Sequence, residues 1–239
     1  EAVQTARKDR EEAYSAALRA LRVVNPLDVA SGIYAMDGFE DPTPTGIARL
    51  DSVLDGGMRP GLYALGALSS MGKTTLAVQI ADHMAANGRG VLFVTIEQSA
   101  RELEAKSLAR MMRERSGDAA AASASEITSR ARREAWPEAK TAALLDACDA
   151  YAATVAQRLR ILEGTRQPTV ADVAAAARMM ADHDGRAPVV FIDYLQLLAP
   201  GEDRDTDKQA VDRNVMALRQ MARDMRAPVF AISSLNRSS

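Results

Sequence analysis

A short stretch of the chain combines glycine, lysine and threonine in an order that suits phosphate binding. It reads Ala67-Leu-Ser-Ser-Met-Gly72-Lys73-Thr74 and lies between an apolar segment and one of helical periodicity. Phosphate oxygens need several donors at once, and the backbone N–H groups of such a loop, with the dipole of the helix that follows, provide them. The pattern predicts that Gly72 permits close backbone approach, that Lys73 reaches the β- and γ-phosphates, and that Thr74 ligates Mg²⁺.

The nucleotide-binding residues that this motif predicts are consecutive in the chain. They are Ser69, Ser70, Met71, Gly72, Lys73, Thr74 and Thr75. A chance occurrence of Gly-Lys-Thr is the alternative, because so short a string also arises without function. Its placement at a strand-to-helix junction argues against chance, since the mechanism of the motif requires that junction.

Two carboxylates end apolar segments that we predict to be strands. Asp193 follows four apolar residues, where a carboxylate can hold Mg²⁺ through water beside the β- and γ-phosphates. The alternative is an ordinary aspartate that caps a turn. Glu97 follows the segment 91–96, where it could accept a proton from water attacking the γ-phosphate. The alternative is a carboxylate at a helix start, because Ser99 and Glu102 form a capping-box pattern just beyond it.

These residues must be brought together by a scaffold, and the hydrophobic pattern predicts an α/β fold with a parallel central sheet flanked by helices. Apolar segments alternate with helical ones, and ligands bind such sheets at the carboxyl ends of the strands. The segment 188–193 has no polar break before Asp193, which predicts a strand covered on both faces. We predict strands at 61–68, 91–96, 159–162, 188–193 and 227–232, and helices at 73–86, 99–115, 137–157, 169–183 and 208–226.

The remaining segments carry no motif. Residues 2–24 are predicted to form an amphipathic helix, and 26–45 an irregular linker rich in Pro and Gly. We therefore divide the chain into an N-terminal helical arm, 1–44, and a core, 45–239. The Ala/Ser-rich stretch 116–126 is predicted to be a mobile surface loop.

Composition excludes several classes of protein. The chain has 239 residues, a formal net charge of −2 and only 4% aromatic residues, which argues against a strongly basic nucleic-acid-binding protein and against binding by stacked bases. A single Cys148 excludes an intramolecular disulfide, and no Cys/His pattern has zinc spacing, so we expect the reducing cytoplasm. No apolar run approaches about 18 residues, and we expect no membrane contact. The first residue is Glu1, not Met, which we interpret as a fragment.

Four strings together resemble the motor domain of DnaB-type replicative helicases. They are SSMGKTTLA (69–77), VLFVTIEQS (91–99), VVFIDYLQLL (189–198) and ISSLNRS (232–238). The likeness extends from about Thr45 to Ser239, although its Thr45-Gly46-Ile47 start also resembles other RecA-like ATPases. It implies a RecA-like P-loop NTPase core that uses ATP and Mg²⁺, a homo-oligomeric ring around single-stranded DNA, and a primase or helicase loader as partner.

The resemblance also bears on particular residues. It makes Glu97 the catalytic base, because Glu97 matches the glutamate after the second strand of that family. The family usually has Gln, a γ-phosphate sensor, where this chain has Ser234, and we expect the shorter hydroxyl to weaken sensing or to act through water. The DNA-binding loop and the basic pair that reaches a neighbouring ATP site would lie beyond Ser239. We therefore expect residues 1–239 alone to bind nucleotide and to hydrolyse it slowly.

The sequence is compatible with three functions. The first is the ring-helicase motor, and the second is a RadA- or KaiC-like ATPase that acts in repair or regulation. Both need Lys73, Thr74, Glu97 and Asp193, and stimulation of turnover by single-stranded DNA would separate them. The third is a degenerate nucleotide-binding scaffold, against which the presence of those four residues argues.

Overall fold

The computed structural model describes residues 41–164, 167–199 and 206–235, together with positions 8, 12–14 and 16. The chain divides into two units, Glu1–Asp41 and Pro42–Ser239. The described positions of the first unit that precede residue 17 are helical. Most of the predicted helix 2–24 and of the linker lies outside the described residues. The second unit contains the predicted site.

Helices and strands alternate along the second unit. Short 3₁₀ turns occur at Asp118–Ala120 and Leu195–Leu197. In chain order the elements are α1 (Ala48–Val53), β1 (Gly61–Leu68), α2 (Lys73–Ala86), β2 (Val91–Thr95), α3 (Ala100–Ser116), α4 (Ala124–Thr128), α5 (Arg130–Glu134), α6 (Glu138–Thr154), β3 (Leu159–Glu163), α7 (Val170–Asp184), β4 (Val189–Asp193), α8 (Asp207–Asp224) and β5 (Pro228–Leu235).

The five strands form one sheet in the order β1-β5-β4-β2-β3, and every neighbouring pair is parallel. The predicted α/β class with a parallel sheet is confirmed. Asp193 pairs with Thr95, and Ser234 pairs with Ala67. Because the strands run the same way, the residues that follow β1, β2 and β4 meet at one edge of the sheet, where β5 also ends.

Both faces of the sheet are covered, as the apolar run before Asp193 predicts. Alternate residues of a strand point to opposite faces. In β4, Val189 and Phe191 pack in a cluster with residues of α2, α3 and α6, whereas Val190 and Ile192 pack with residues of α7 and α8. Phe191 stacks on Phe93 of β2 with ring centroids 5.7 Å apart. The strand that carries Asp193 is therefore held rigidly from both sides.

The structure corrects the predicted loop over 116–126. The Asp118–Ala120 turn and the start of α4 occupy part of it, and Ala122 is buried. Ser123 and Glu126 form a reciprocal capping box that begins α4. The Ala/Ser composition predicts a loop, but the Ser-x-x-Glu spacing within it is a helix-start signal. The capping box and the burial of Ala122 and Ile127 in the cluster that includes α3 residues therefore stabilise a helix where the composition alone predicts a loop.

The Thr45-Gly46 turn is held by α1 and lies against α2. The Asp51 carboxylate accepts hydrogen bonds from the Thr45 N–H at 2.7 Å, the Thr45 hydroxyl at 2.7 Å and the Gly46 N–H at 3.2 Å. Gly46 has φ of +78°, and a Cβ there would lie 2.4 Å from Cγ of His83 in α2. Glycine is required because of both the backbone conformation and the close approach.

Candidate nucleotide-binding site

The phosphate-binding motif forms a tight turn between β1 and α2. Gly72 is the residue before α2 and has φ of +83°, and Ser70 has φ of +65°. A Cβ added at Gly72 would meet no atom within 4 Å, so the conformation, not crowding, favours glycine. The first N–H groups of a helix lack intrahelical acceptors, so the start of α2 offers several donors beside open space. This geometry is compatible with the phosphate-binding role that the motif predicts.

A cavity of about 390 Å³ lies at this edge of the sheet, within the roughly 300–1,000 Å³ of small-molecule sites. Of the predicted site residues, all but Met71 line it. Met71 is 71% exposed and is not part of the lining, so the structure does not bring this predicted residue into the site. The lining residues are Ser69, Ser70, Gly72, Lys73, Thr74, Thr75, Glu97, Gln98, Lys106, Asp193, Tyr194 and Ser234.

Lys73 is turned back onto the motif. Its Nζ donates to the carbonyl oxygens of Ala67 and Leu68, each at 2.8 Å. Anionic phosphate oxygens are stronger acceptors for an ammonium group than neutral carbonyls are. The lysine can therefore exchange these bonds for bonds to a phosphate without leaving the cavity.

Asp193 and Thr74 form the second part of the site. The Thr74 hydroxyl donates to Asp193 Oδ2 at 2.7 Å. Burial raises the pKa of the Asp193 carboxyl, and the negative charge of Glu97 adds to the rise, whereas the Thr74 hydrogen bond and the charges of Lys73 and Lys106 lower it. A hydroxyl beside a carboxylate is an oxygen donor set that suits a hard cation such as Mg²⁺.

The structure also bears on the alternative role of Asp193. Among the described residues, the hydrogen-bond partner of its side chain is Thr74, which is 119 positions away in sequence. The turn that follows β4 is closed instead by backbone bonds, such as Leu197 N–H to the Tyr194 carbonyl at 3.1 Å. Turn capping is therefore not what holds this carboxylate in place.

Glu97 lies two residues beyond the end of β2, which ends at Thr95 and not at the predicted residue 96, and its exposed side chain lines the cavity. The turn that bears it is shaped by Thr95, whose hydroxyl donates to the Gln98 carbonyl at 2.6 Å. The cap of α3 is made by other residues: Ser99 N–H donates to Glu102 Oε2 at 2.8 Å, and the Ser99 hydroxyl accepts from the Glu102 N–H. Hydrogen bonds from Ser99 lower the pKa of Glu102. Glu102, not Glu97, is therefore the carboxylate that caps α3.

Ser234 lies beside the phosphate-binding turn. Its hydroxyl is 3.3 Å from the Ser69 hydroxyl, and Gln196 Nε2 donates to the Ser234 carbonyl at 3.2 Å. Gln196 also donates to the Ser233 hydroxyl at 2.8 Å. β5 extends to Leu235, beyond the predicted end at 232, and this extension brings Ser234 to the site.

Sequence reasoning missed three lining residues: Gln98, Tyr194 and Lys106. The first two directly follow Glu97 and Asp193, so their neighbours could have indicated them. Lys106 lies in α3, nine positions after Glu97, and no local pattern distinguishes it from a solvated helical lysine. Only the packing of α3 brings it to the cavity.

Sequence comparison matches most of this chain to replicative helicases. The DnaB-like helicase C-terminal domain family matches residues 43–239. The chain is 27% identical over 219 residues to the replicative DNA helicase DnaB of Geobacillus stearothermophilus, covering 90% of this chain and 44% of that protein. It is 26% identical over 196 residues to the replicative DNA helicase DnaC of Bacillus subtilis, covering 81% and 39%. The chain thus spans less than half the length of these curated relatives.

A likeness to a repair protein is shorter. The DNA repair protein RadA of Mycobacterium tuberculosis is 42% identical over 84 residues, which cover 34% of this chain and 18% of that protein. The helicase matches cover more than twice as much of this chain, so the comparisons favour a DnaB-like over a RadA-like chain.

Comparison with solved structures agrees with the sequence matches. One solved structure, described as an ATPase domain, superposes with a TM-score of 0.72 at 26% identity, covering 89% of this chain and 70% of that one. A DnaB-like replicative helicase, described together with its interactions with primase, gives 0.72 at 24% identity, covering 89% and 48%. The predicted RecA-like architecture is confirmed.

Proposed function

The chain belongs to the family of DnaB-like helicase C-terminal domains, and on that premise we propose that it is the ATP-hydrolysing motor of a ring-forming DNA helicase. It couples hydrolysis to translocation on single-stranded DNA. The observation that carries this proposal is the convergence of Lys73, Thr74, Glu97 and Asp193 in one cavity, from three separate segments of the chain.

The described residues fit a nucleoside triphosphate and Mg²⁺. The left-handed turn at Gly72 leaves open space beside the start of α2, and Lys73 supplies a cation there. The Thr74 hydroxyl and the Asp193 carboxylate are the oxygen donors that would hold Mg²⁺, directly and through water. When bound, Mg²⁺ adds positive charge at the phosphates and stabilises charge that develops during transfer.

The two carboxylates have different surroundings, which supports different roles. Asp193 is 3% exposed and accepts a hydrogen bond from Thr74, so it is held in one orientation. Glu97 is exposed, and its carboxylate accepts no hydrogen bond from any described residue. A free carboxylate at the cavity can accept the proton of an attacking water, which is the role we assign to Glu97.

The wider biology belongs to the same proposal. We assign the chain to a homo-oligomeric ring that acts on single-stranded DNA in the cytoplasm, with a primase or a helicase loader as partner. The helicase described with primase is similar in fold, which supports this assignment. We retain residues 1–44 as an arm and 45–239 as the core. No helix in the described ranges is long and apolar enough to span a bilayer.

The test is ATP hydrolysis by the protein in its natural full length, with and without single-stranded DNA. We expect turnover that DNA stimulates, and its loss in Lys73→Ala with an unchanged melting temperature, because the Lys73 ammonium bonds only two loop carbonyls. Lys208→Ala, which removes an exposed lysine of α8, is the matched control. Turnover that ignores DNA would favour the RadA- or KaiC-like alternative, and nucleotide binding with no turnover at all would favour a scaffold.

A further inference from the structure

One cation of the cavity belongs neither to the phosphate-binding motif nor to a strand end. Lys106 of α3 lines the cavity together with Glu97, Gln98 and Asp193. Its positive charge opposes the rise in the pKa of the Asp193 carboxyl. It is half-buried, and two nearby residues, Leu103 one turn earlier and the adjacent Ser107, are each 2% exposed. The lysine therefore extends from the packed face of the helix toward the cavity.

Lys106 makes no hydrogen bond or ion pair with any described residue. The residue that helical spacing would pair with it is Glu102, four positions earlier. Glu102 is engaged elsewhere, because its carboxylate accepts from both the N–H and the hydroxyl of Ser99, each at 2.8 Å. The charge of Lys106 acts on the carboxylates of Glu102 and Asp193, but its ammonium donors have no acceptor among the described residues and can donate to an anion in the cavity. The other lysine of the lining, Lys73, already has two carbonyl acceptors.

The helix that carries Lys106 is fixed at two points. The capping box at Ser99 sets its first turn, directly after Glu97. Further along, Arg110 donates to the buried carboxylate of Asp82 in α2 at 2.8 Å. α2 is the helix that begins at the phosphate-binding turn, so this ion pair ties α3 to the same frame as Lys73. The helix that carries Lys106 is therefore fixed relative to the phosphate-binding turn.

Ser234 lines the same cavity from the end of β5. Here the hydroxyl of Ser234 is 3.3 Å from the Ser69 hydroxyl, and its backbone contacts Gln196. The Ser234 hydroxyl is thus engaged at the phosphate-binding turn, whereas Lys106 has no hydrogen-bond partner among the described residues.

We propose that Lys106 binds the γ-phosphate in cis and contributes to the discrimination of a nucleoside triphosphate from a diphosphate. The inference rests on the proposed function, since it concerns the same cavity. Lys73 would reach the β- and γ-phosphates from the phosphate-binding motif. Lys106 approaches from α3 and adds a second charge-assisted contact, which forms only when a third phosphate is present.

The experiment compares how the substitution Lys106→Met changes the dissociation constants of two nucleotides. Calorimetry with Mg²⁺ measures the binding of ADP and of the β,γ-imido analogue of ATP to the wild type and to Lys106→Met. We expect the analogue to bind roughly 10- to 100-fold more weakly and ADP to change less than about two-fold, because a hydrogen bond to a charged group is lost. Lys106→Arg should keep the discrimination. Arg101→Met, which removes a cation from the exposed face of the same helix, should leave both constants unchanged.

The remaining outcomes separate this inference from the proposed function. If ADP and the analogue weaken equally, or neither changes, Lys106 does not bind the γ-phosphate and the inference is wrong. If the wild type binds neither nucleotide, the proposed function fails and the inference with it. Should Lys106→Met lower the melting temperature sharply, Lys106→Gln, which keeps most of the stem and a polar end, makes the same comparison in a folded protein.

Discussion

The hydroxyl of Thr74 donates to the carboxylate of Asp193 at 2.7 Å, across 119 positions of sequence. This bond joins the first turn of α2 to the end of β4. Ile96, at the end of β2, donates its N–H to the Asp193 carbonyl at 3.1 Å, so the turn that bears Glu97 is tied to the same point. Three functional segments are thus fixed around one residue.

Asp193→Asn should weaken metal-dependent nucleotide binding. The amide keeps the size of the carboxylate and can still accept from Thr74, but it lacks the charge that attracts Mg²⁺. We expect the Mg²⁺ concentration needed for half-maximal binding of the ATP analogue to rise about ten-fold or more, while binding of ADP without metal stays within about two-fold. Titration of Mg²⁺ against a fluorescent nucleotide measures both. Asp212→Asn, on the exposed face of α8, is the control. An unchanged Mg²⁺ requirement would remove Asp193 from the metal site.

Glu97→Gln should separate catalysis from binding. If Glu97 accepts the proton of water, turnover should fall by roughly 10²–10⁴-fold while nucleotide affinity is kept. The melting temperature should not change, because Ser99 and Glu102 cap α3 without it. Single-turnover hydrolysis and thermal melting on the same preparation measure the two effects.

Glu102→Ala is the matched variant for that comparison. It removes the capping carboxylate and should destabilise the protein by about 1 kcal/mol, with hydrolysis nearly unchanged under conditions where the protein stays folded. If the two variants exchange these results, so that Glu97 affects stability and Glu102 affects turnover, the assignment of Glu97 as the base is wrong.

Glu126 should make stability depend on pH in the acid range. The Ser123 backbone N–H and the Lys140 ammonium donate to this carboxylate, and they lower its pKa from 4.5 to about 2. A carboxyl with a lowered pKa in the folded state stabilises the protein above its unfolded pKa, and this contribution is lost as pH falls toward the folded pKa. The stabilisation is therefore complete above about pH 5 and declines below it.

Urea unfolding of the wild type and Glu126→Gln at pH 7, 5 and 3 tests this dependence. Glutamine keeps the cap and removes the charge, so the wild type should be the more stable protein at pH 7. The difference in the free energy of unfolding should narrow between pH 5 and pH 3. A difference that stays constant over this interval would contradict the assignment of the charge effect to Glu126.

Gly46→Ala should destabilise the core by two separable effects. The methyl group would meet the His83 ring, since a Cβ there lies 2.4 Å from Cγ, and φ of +78° is unfavourable for alanine. We expect a loss of about 2–4 kcal/mol in the free energy of unfolding. In the double variant with His83→Ala, the steric part should be recovered and about 1 kcal/mol should remain for the backbone. If the double variant regained all of the lost stability, the positive φ of residue 46 would contribute nothing to the destabilisation.

Local sequence determined the elements and much of the site. β1 and α2 have the predicted bounds, 61–68 and 73–86, because the apolar run, the glycine turn and the helical periodicity all lie within neighbouring residues. The unbroken apolar run also predicted that Asp193 ends a strand covered on both faces. Parallel order then follows from the alternation of strands with helices, which need crossover connections. These features depend on short-range patterns that a single chain displays.

Tertiary structure decided which side chains of the helices between β2 and β3 reach the cavity. Lys106 is an ordinary helical lysine by sequence, and its place follows from the rotation of α3, which is set by buried contacts such as Leu103 and by the Asp82–Arg110 ion pair. The capping box of Ser99 and Glu102 was predicted from sequence and is confirmed, but that Glu97 lines the cavity and takes no part in this cap needed the tertiary structure. The physical reason is common to both: helix orientation depends on contacts between residues far apart in sequence, whose energies no local pattern contains.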